Sequence, residues 1–88
     1  MTYKITYTKR FEKHLRALSK NEKDLIKKKV AILAANPFHP SLRAKRIQGT
    51  AGLFECSVNM DIRIVWYYEG KELIILLDVG HHEILGKY

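Results

Sequence analysis

The stretch IRIVWYYEGKELIILLDV, Ile62 to Val79, consists of two apolar segments separated by a short polar turn. In the first segment, Ile62–Tyr68, large apolar residues recur at every second position from Ile62, which predicts a strand with one buried face. The second segment, Leu73–Val79, is almost wholly apolar, so we expect a central strand that is covered on both faces. Gly70 lies in the turn between them and can adopt the positive φ that tight turns need. So short a turn predicts an antiparallel hairpin.

A third strand is predicted just before this hairpin, over Leu53–Asn59. Period 2 places Phe54, Cys56 and Val58 on one face of that strand. Since we expect the helices to cover this apolar face, Glu55, Ser57 and Arg63 should project together from the opposite one. A carboxylate and a guanidinium on adjacent strands suit a catalytic base and a phosphate-binding group. They equally suit a surface ion pair worth about 0.2–1 kcal/mol.

The N-terminal half of the chain reads as a strand followed by two helices. Alternation over Thr2–Thr8 predicts the strand, and Thr8 can cap a helix in which Phe11, Leu15 and Leu18 share one face. Asn21 is the predicted cap of the second helix, which should run to about Ala35 and end before Pro37. Residues 37–50 then form a connector that is basic in its second half.

The order strand, helix, helix, strand, strand, strand predicts an α+β domain. One small sheet should pack on the helical hairpin, and a short tail should follow the last strand. Because 88 residues are enough for only one modest core, we expect a single domain over residues 1–88.

Charge is the most informative feature of the composition. Sixteen Lys and Arg against nine Asp and Glu give a net charge of +7, which favours a polyanionic partner such as nucleic acid or an acidic protein. No apolar run is long enough to span a bilayer, and the N-terminus resembles no signal peptide. Cys56 is the only cysteine, so it cannot form an internal disulfide, and this fits a cytoplasmic protein. Its side chain should face the core.

Several short motifs in the second half resemble those of RelE-type toxins, within the RelE/ParE superfamily of type II toxin–antitoxin systems. Gly52 precedes the first strand of the meander. The run Ile62-Arg63-Ile64-Val65-Trp66-Tyr67 is similar to the family's arginine-bearing strand. Val79-Gly80-His81-His82 is similar to its VGxR-like strand end, and Tyr88 lies six residues further on. The element order and the basic helical hairpin also agree, so the resemblance covers essentially the whole chain.

The resemblance implies a small endoribonuclease that enters the ribosomal A site and cuts the mRNA being translated, without a metal or other cofactor. The ribose 2′-OH is deprotonated and attacks the adjacent phosphorus. Arg63 matches the strand arginine, and its fork suits a phosphate. His82 falls at the end of the last strand, where it would protonate the leaving oxygen. Glu55 is the candidate base, as the only carboxylate that we expect on this strand face, or it serves only to orient Arg63.

Tyr88 completes the candidate catalytic set, and the remaining predicted residues contact RNA. Tyr88 matches a C-terminal tyrosine that stacks on or orients a nucleotide. The predicted phosphate contacts are Lys27, Lys28, Lys29, Arg43, Lys45 and Arg46, with Ser57 on the strand face. His81 should point to the other side of the strand end, where it is either structural or a secondary RNA contact. An acidic antitoxin is the expected protein partner, in a hetero-oligomer that covers the basic surface and the C-terminal tail.

Two departures from the family pattern and two alternatives remain. Glu55 and Ser57 stand where some relatives place lysines, and His82 stands where arginine is common, so a Glu/His acid–base pair is favoured over a Lys/Arg one.

ParE-type toxins share the fold but inhibit DNA gyrase and have no nuclease activity. A basic binding module without chemistry is the third interpretation. His81, His82 and Glu83 are consecutive and show no metal-ligand spacing.

Overall fold

The computed structural model describes residues 2–88 and contains one mixed sheet with two helices. The strands are β1 (Lys4–Tyr7), β2 (Lys45–Arg46), β3 (Phe54–Ser57), β4 (Ile62–Glu69) and β5 (Leu73–His81), and the helices are α1 (Lys9–Arg16) and α2 (Lys20–Ala35). Two 3₁₀ turns complete the fold, one at Pro40–Leu42 and one at His82–Lys87. The second is called the terminal turn below.

The strand order is β1-β5-β4-β3-β2. The predicted meander of β3, β4 and β5 is antiparallel throughout, whereas β1 pairs in parallel with β5. β5 therefore lies in the interior of the sheet between β4 and β1, as its apolar sequence predicts. The α+β class and the position of the hairpin Ile62–Val79 at the sheet centre are both confirmed.

The core lies between the helices and one face of the sheet. Trp66 is fully buried and stacks on Phe54, with ring centroids 4.7 Å apart and an interplanar angle of 13°. Phe11 from α1 and Leu33 from α2 belong to the same cluster. Cys56 is also buried there, which confirms the predicted face of β3. Loss of solvation raises the pKa of its thiol to about 12.

Both helices begin at side-chain caps. Thr8 Oγ1 accepts a hydrogen bond from the backbone N–H of Phe11 at 3.1 Å, as predicted. The predicted cap at Asn21 is wrong, because α2 begins at a capping box formed by Ser19 and Glu22. Glu22 N donates to Ser19 Oγ at 3.2 Å, and Ser19 N donates to Glu22 Oε1 at 2.9 Å. The latter bond is the main reason that the pKa of Glu22 is lowered.

Other boundaries also differ from prediction, since β3 spans only Phe54–Ser57 and β5 continues to His81. The first strand is shorter than Thr2–Thr8, and α1 ends at Arg16, so that Leu18 lies beyond it. The connector is not featureless, since Leu42 is fully buried in a 3₁₀ turn and β2 pairs with β3. A two-residue strand carries too little periodicity to be recognised from sequence. Within residues 2–88, no helix combines the length and apolar character needed to cross a membrane.

Replacing the cap of α2 tests the corrected boundary. Ser19→Ala removes the hydroxyl that accepts from Glu22 N, and we expect a loss of about 1 kcal/mol in the free energy of unfolding. For a domain of this size, the melting temperature should fall by about 4–8 °C. Asn21→Ala is the matched control, because Asn21 is exposed inside the first turn and should change stability little. Equal losses in the two variants would contradict the assignment of Ser19 as the cap.

Candidate active site

The sheet face opposite the apolar core carries two rows of residues in register. Partners across adjacent strands project to the same face, so the register itself defines these rows. One row contains Glu55, Val65 and Asp78, and the other contains Ser57, Arg63 and Gly80. The prediction that Glu55, Ser57 and Arg63 share one face is confirmed.

An open cleft of about 340 Å³ lies at one end of this face. Ser57, Arg63 and Arg43 contribute to its lining, with Asn59 and Met60 from the β3–β4 turn. Arg43 has a left-handed backbone with φ of 49°, which is uncommon outside glycine. Three of the residues predicted to contact RNA or phosphate therefore meet in one cationic cleft.

Arg63 is partly fixed by its own hairpin. Its Nη1 donates to the carbonyl oxygen of Asn59 at 2.8 Å and to that of Ile62 at 3.1 Å. Both hydrogen bonds use the same nitrogen, so Nε and Nη2 remain available for an anion. A guanidinium held in this way loses less side-chain entropy when it binds a phosphate.

Glu55 lies on the same face but is almost buried, with 9% of its surface exposed. Its register partner in β2 is Lys45, an exposed residue that shares its face. Within residues 2–88, no cation lies close enough to Glu55 to form an ion pair. The carboxylate is therefore not neutralised by direct contact, and it lies two residues along β3 from Ser57, which lines the cleft.

The two adjacent histidines lie in different places. His81 pairs with Ile62 and therefore faces the helices, as expected. Its Nε2 lies 3.8 Å from Glu22 and its Nδ1 lies 3.9 Å from Asp61. His82 is exposed and opens the terminal turn at the end of the sheet where β4 begins. The cleft lining does not include Glu55, His82 or Tyr88.

Sequence reasoning missed Asp78, which is fully buried on the same face. The prediction that Glu55 is the only carboxylate there is wrong. Simple alternation would place Asp78 on the same face as Leu76, towards the core. The pairing of β4 with β5 shifts register between Val65 and Trp66, however. As a result Leu76 pairs with Trp66, and Asp78 pairs with Val65. This β-bulge at Leu77 turns Asp78 to the other face. The only signal in the sequence is an acidic residue at the end of an apolar run.

Three donors surround the Asp78 carboxylate. The Oδ1 atom lies 2.5 Å from His14 Nδ1 and accepts from the backbone N–H of Val79 at 2.8 Å. Tyr88 donates its hydroxyl to Oδ2 at 2.7 Å, and the same hydroxyl accepts from Arg10 Nη1 at 3.1 Å. Burial raises the pKa of the Tyr88 hydroxyl, and its hydrogen bond to Asp78 raises it further. The C-terminal residue is therefore anchored to β5 and α1.

The predicted basic residues do not form a single patch. Lys27 borders an apolar groove beside β1, at one edge of the sheet, whereas Lys45 and Arg46 form β2 at the opposite edge. Lys28 is exposed on α2, and Lys29 contacts the carbonyl oxygen of Ser41 at 3.5 Å. Among the described side chains, no group of three or more His, Cys, Asp or Glu is placed to hold a metal ion.

The terminal turn packs closely against β5 at Gly80. A Cβ atom built on Gly80 would lie 2.8 Å from Ile84 Cγ2, so Gly80→Ala must displace the turn. We expect a loss of about 1–3 kcal/mol in the free energy of unfolding, measured by urea titration. Gly86→Ala is the control, since its Cβ would meet nothing within 4 Å. Adding Ile84→Ala to Gly80→Ala should reduce the penalty, and an unchanged penalty would contradict the contact.

The comparisons with known proteins agree with this fold. A family described as the bacterial toxin of type II toxin–antitoxin systems, YafQ, matches residues 3–87. A metal-bound toxin from Helicobacter pylori is 29% identical, with a TM-score of 0.78 over 97% of this chain and 99% of that one. Among curated protein sequences, no significant match was found.

Two complexes extend the comparison. The toxin of the E. coli DinJ–YafQ toxin–antitoxin complex is 20% identical, with a TM-score of 0.78 over 97% of this chain and 98% of that one. The archaeal RelE–RelB complex from Pyrococcus horikoshii gives 21% identity and a TM-score of 0.76 over 92% and 96%. The resemblance to RelE-type toxins is thereby confirmed. With the family match over residues 3–87, the chain belongs to the YafQ family of type II toxin–antitoxin toxins.

Proposed function

We propose that this toxin is a ribosome-dependent endoribonuclease that cuts translated mRNA in the ribosomal A site. The observation that carries the proposal is the open cationic cleft, in which Arg43 and Arg63 meet Ser57 at one end of the sheet. Two guanidinium groups at one concave site suit a phosphodiester, and the cleft is wide enough to admit one.

The reaction begins with the ribose 2′-OH. Its oxygen forms a bond to the adjacent phosphorus while the bond from phosphorus to the 5′-oxygen breaks, which leaves a 2′,3′-cyclic phosphate and a 5′-OH. Arg63 binds the non-bridging oxygens through Nε and Nη2, while Nη1 remains on the turn carbonyls. The developing negative charge is then stabilised by a group that is already oriented.

Two proton transfers complete the chemistry. Glu55 takes the 2′-OH proton, because its carboxylate projects from the same face as Arg63 and has no direct cationic partner among residues 2–88. His82 gives a proton to the leaving 5′-oxygen, since histidine exchanges protons near neutral pH. It stands at the sheet end where β4 begins, close in register to the cleft.

The wider surface binds the ribosome and its RNA through charge. The net charge of +7 is spread over both sheet edges and α2, with Lys27, Lys28, Lys45 and Arg46 among the exposed cations. Such contacts orient a protein on RNA without reading its sequence. His81 is a secondary contact, and the Tyr88 ring stacks on a nucleotide.

An acidic antitoxin is the proposed protein partner, because two relatives were crystallised with RelB and DinJ. We propose that it covers the cleft and the Tyr88 segment. The observation that would contradict this is a toxin–antitoxin complex that leaves both regions exposed to solvent.

Mapping mRNA breaks on translating ribosomes tests the phosphate clamp. Arg63→Ala should lower the cleavage rate by about 10²–10³-fold, as removal of one oriented transition-state donor does. Arg63→Lys should recover only part of it, because an ammonium cannot form the same bidentate contact. Lys71→Ala removes one positive charge in the β4–β5 turn, at the other end of the sheet, and should cut as wild type does.

The acid–base pair is tested in the same assay. Glu55→Gln keeps the size of the buried side chain but cannot take a proton, and His82→Ala removes an exposed imidazole. Each should lower the rate by about 10²–10⁴-fold. Wild-type rates in both variants would reduce the site to a binding surface. If the wild-type protein cuts no mRNA and instead stalls DNA gyrase, the ParE-type function replaces the one proposed here.

A further inference from the structure

Asp78 is the centre of a polar cluster that the proposed chemistry does not use. The cluster consists of Asp78 in β5, Arg10 and His14 in α1, and Tyr88 at the end of the chain. We call these four residues the clasp. They come from three separate parts of the chain, and the Arg10–Tyr88 contact joins residues 78 positions apart.

Burying the Asp78 carboxylate is expensive unless its oxygens are paired. Both oxygens are occupied, one by His14 and the Val79 backbone and the other by Tyr88, and Asp78 has no exposed surface. Well-packed apolar side chains often give equal or greater stability than a buried charge of this kind. The carboxylate also fixes the orientation of the groups that donate to it, because each hydrogen bond requires a defined approach angle.

The element held by the clasp is the terminal turn. It is a six-residue 3₁₀ helix, and helices of this length are not stable by themselves. Its beginning continues directly from β5, and Ile84 lies against Gly80 in its middle. Its end is fixed by the hydroxyl of Tyr88, which Asp78 and Arg10 hold.

His82 is the first residue of that turn and is exposed. The register brings Gly80 beside Arg63 and His81 beside Ile62, so His82 follows at the end of the sheet where the cleft lies. No hydrogen bond within residues 2–88 holds the imidazole itself in place. Its position therefore depends on the backbone of the turn.

We propose that Asp78, His14 and Arg10 are positioning residues, which fix the terminal turn through the Tyr88 hydroxyl and thereby hold His82 beside the scissile phosphate. The inference rests on the proposed ribonuclease function. It also divides Tyr88 into two parts with different roles: the ring stacks on a nucleotide, and the hydroxyl locks the turn.

Tyr88→Phe separates these roles, because it keeps the ring and removes only the hydroxyl. We measure the single-turnover cleavage rate on programmed ribosomes against toxin concentration. The maximal rate should fall about 10–100-fold, the range seen when groups that orient a reacting side chain are removed. The half-saturating concentration should stay within about twofold, since the ring still stacks. Tyr68→Phe is the control, a hydroxyl removed at the far end of β4.

A second variant pair tests the α1 side of the clasp. His14→Ala leaves Asp78 Oδ1 without its side-chain donor and should lower the maximal rate. His14→Asn places an amide N–H near the position of Nδ1 and should restore part of it. Since both variants alter the same half-buried position in α1, a loss of folding alone would not produce this order. Equal rates in the two variants would overturn the role of His14.

The combination with His82→Ala decides whether the clasp acts through His82. If it does, Tyr88→Phe should cause no further loss in the His82→Ala background. Losses that multiply would overturn the inference, as would a wild-type rate in Tyr88→Phe, and both results leave the ribonuclease intact. A wild-type protein that cuts no mRNA overturns the proposed function itself, so the two failures are distinguishable.

Discussion

The β-bulge between β4 and β5 is the constraint on which the site depends. On one side of it, Trp66 and Leu76 pair and face the apolar core, and on the other side Val65 and Asp78 pair on the opposite face of the sheet, where His14 of α1 contacts the carboxylate. Without the extra residue at Leu77, Asp78 would point into the apolar core and would lose the three donors that hold its carboxylate on the other face. The bulge thus lets one strand serve two purposes, first packing on the helices and then carrying a carboxylate to the opposite face.

The parts of the fold that the sequence predicts are those set by patterns within a few neighbouring residues. Alternation over Ile62–Tyr68 and the apolar run after Gly70 fix the hairpin, because period 2 and a short turn act locally. The shared face of Glu55, Ser57 and Arg63 follows from the same period. The face of Asp78 does not, since a bulge depends on how two strands pair, and a single strand's pattern carries no record of it.

The other differences arise from competition between local signals. Ser19 and Asn21 are both good helix caps, and Glu22 decides between them because only Ser19 lies three residues before it. That signal was present in the sequence. No local signal predicts the hydrogen bonds of Tyr88, because its partners Arg10 and Asp78 are distant in the sequence. Sequence spacing predicted a tyrosine near the site and could not predict what holds its hydroxyl.

The fold places the site without determining its chemistry. Toxins that are only 20–29% identical to this chain superpose with TM-scores of 0.76–0.78, so the backbone tolerates replacement of most side chains. What a member can catalyse then depends on the few side chains that leave the sheet on the face opposite the helices. In the proposed mechanism they are Glu55, Ser57 and Arg63, with His82 at the adjoining strand end. Because His82 sits on a short turn and not on a strand, the proposed placement of its imidazole depends on contacts outside the sheet, and the Asp78 carboxylate supplies one of them through the Tyr88 hydroxyl.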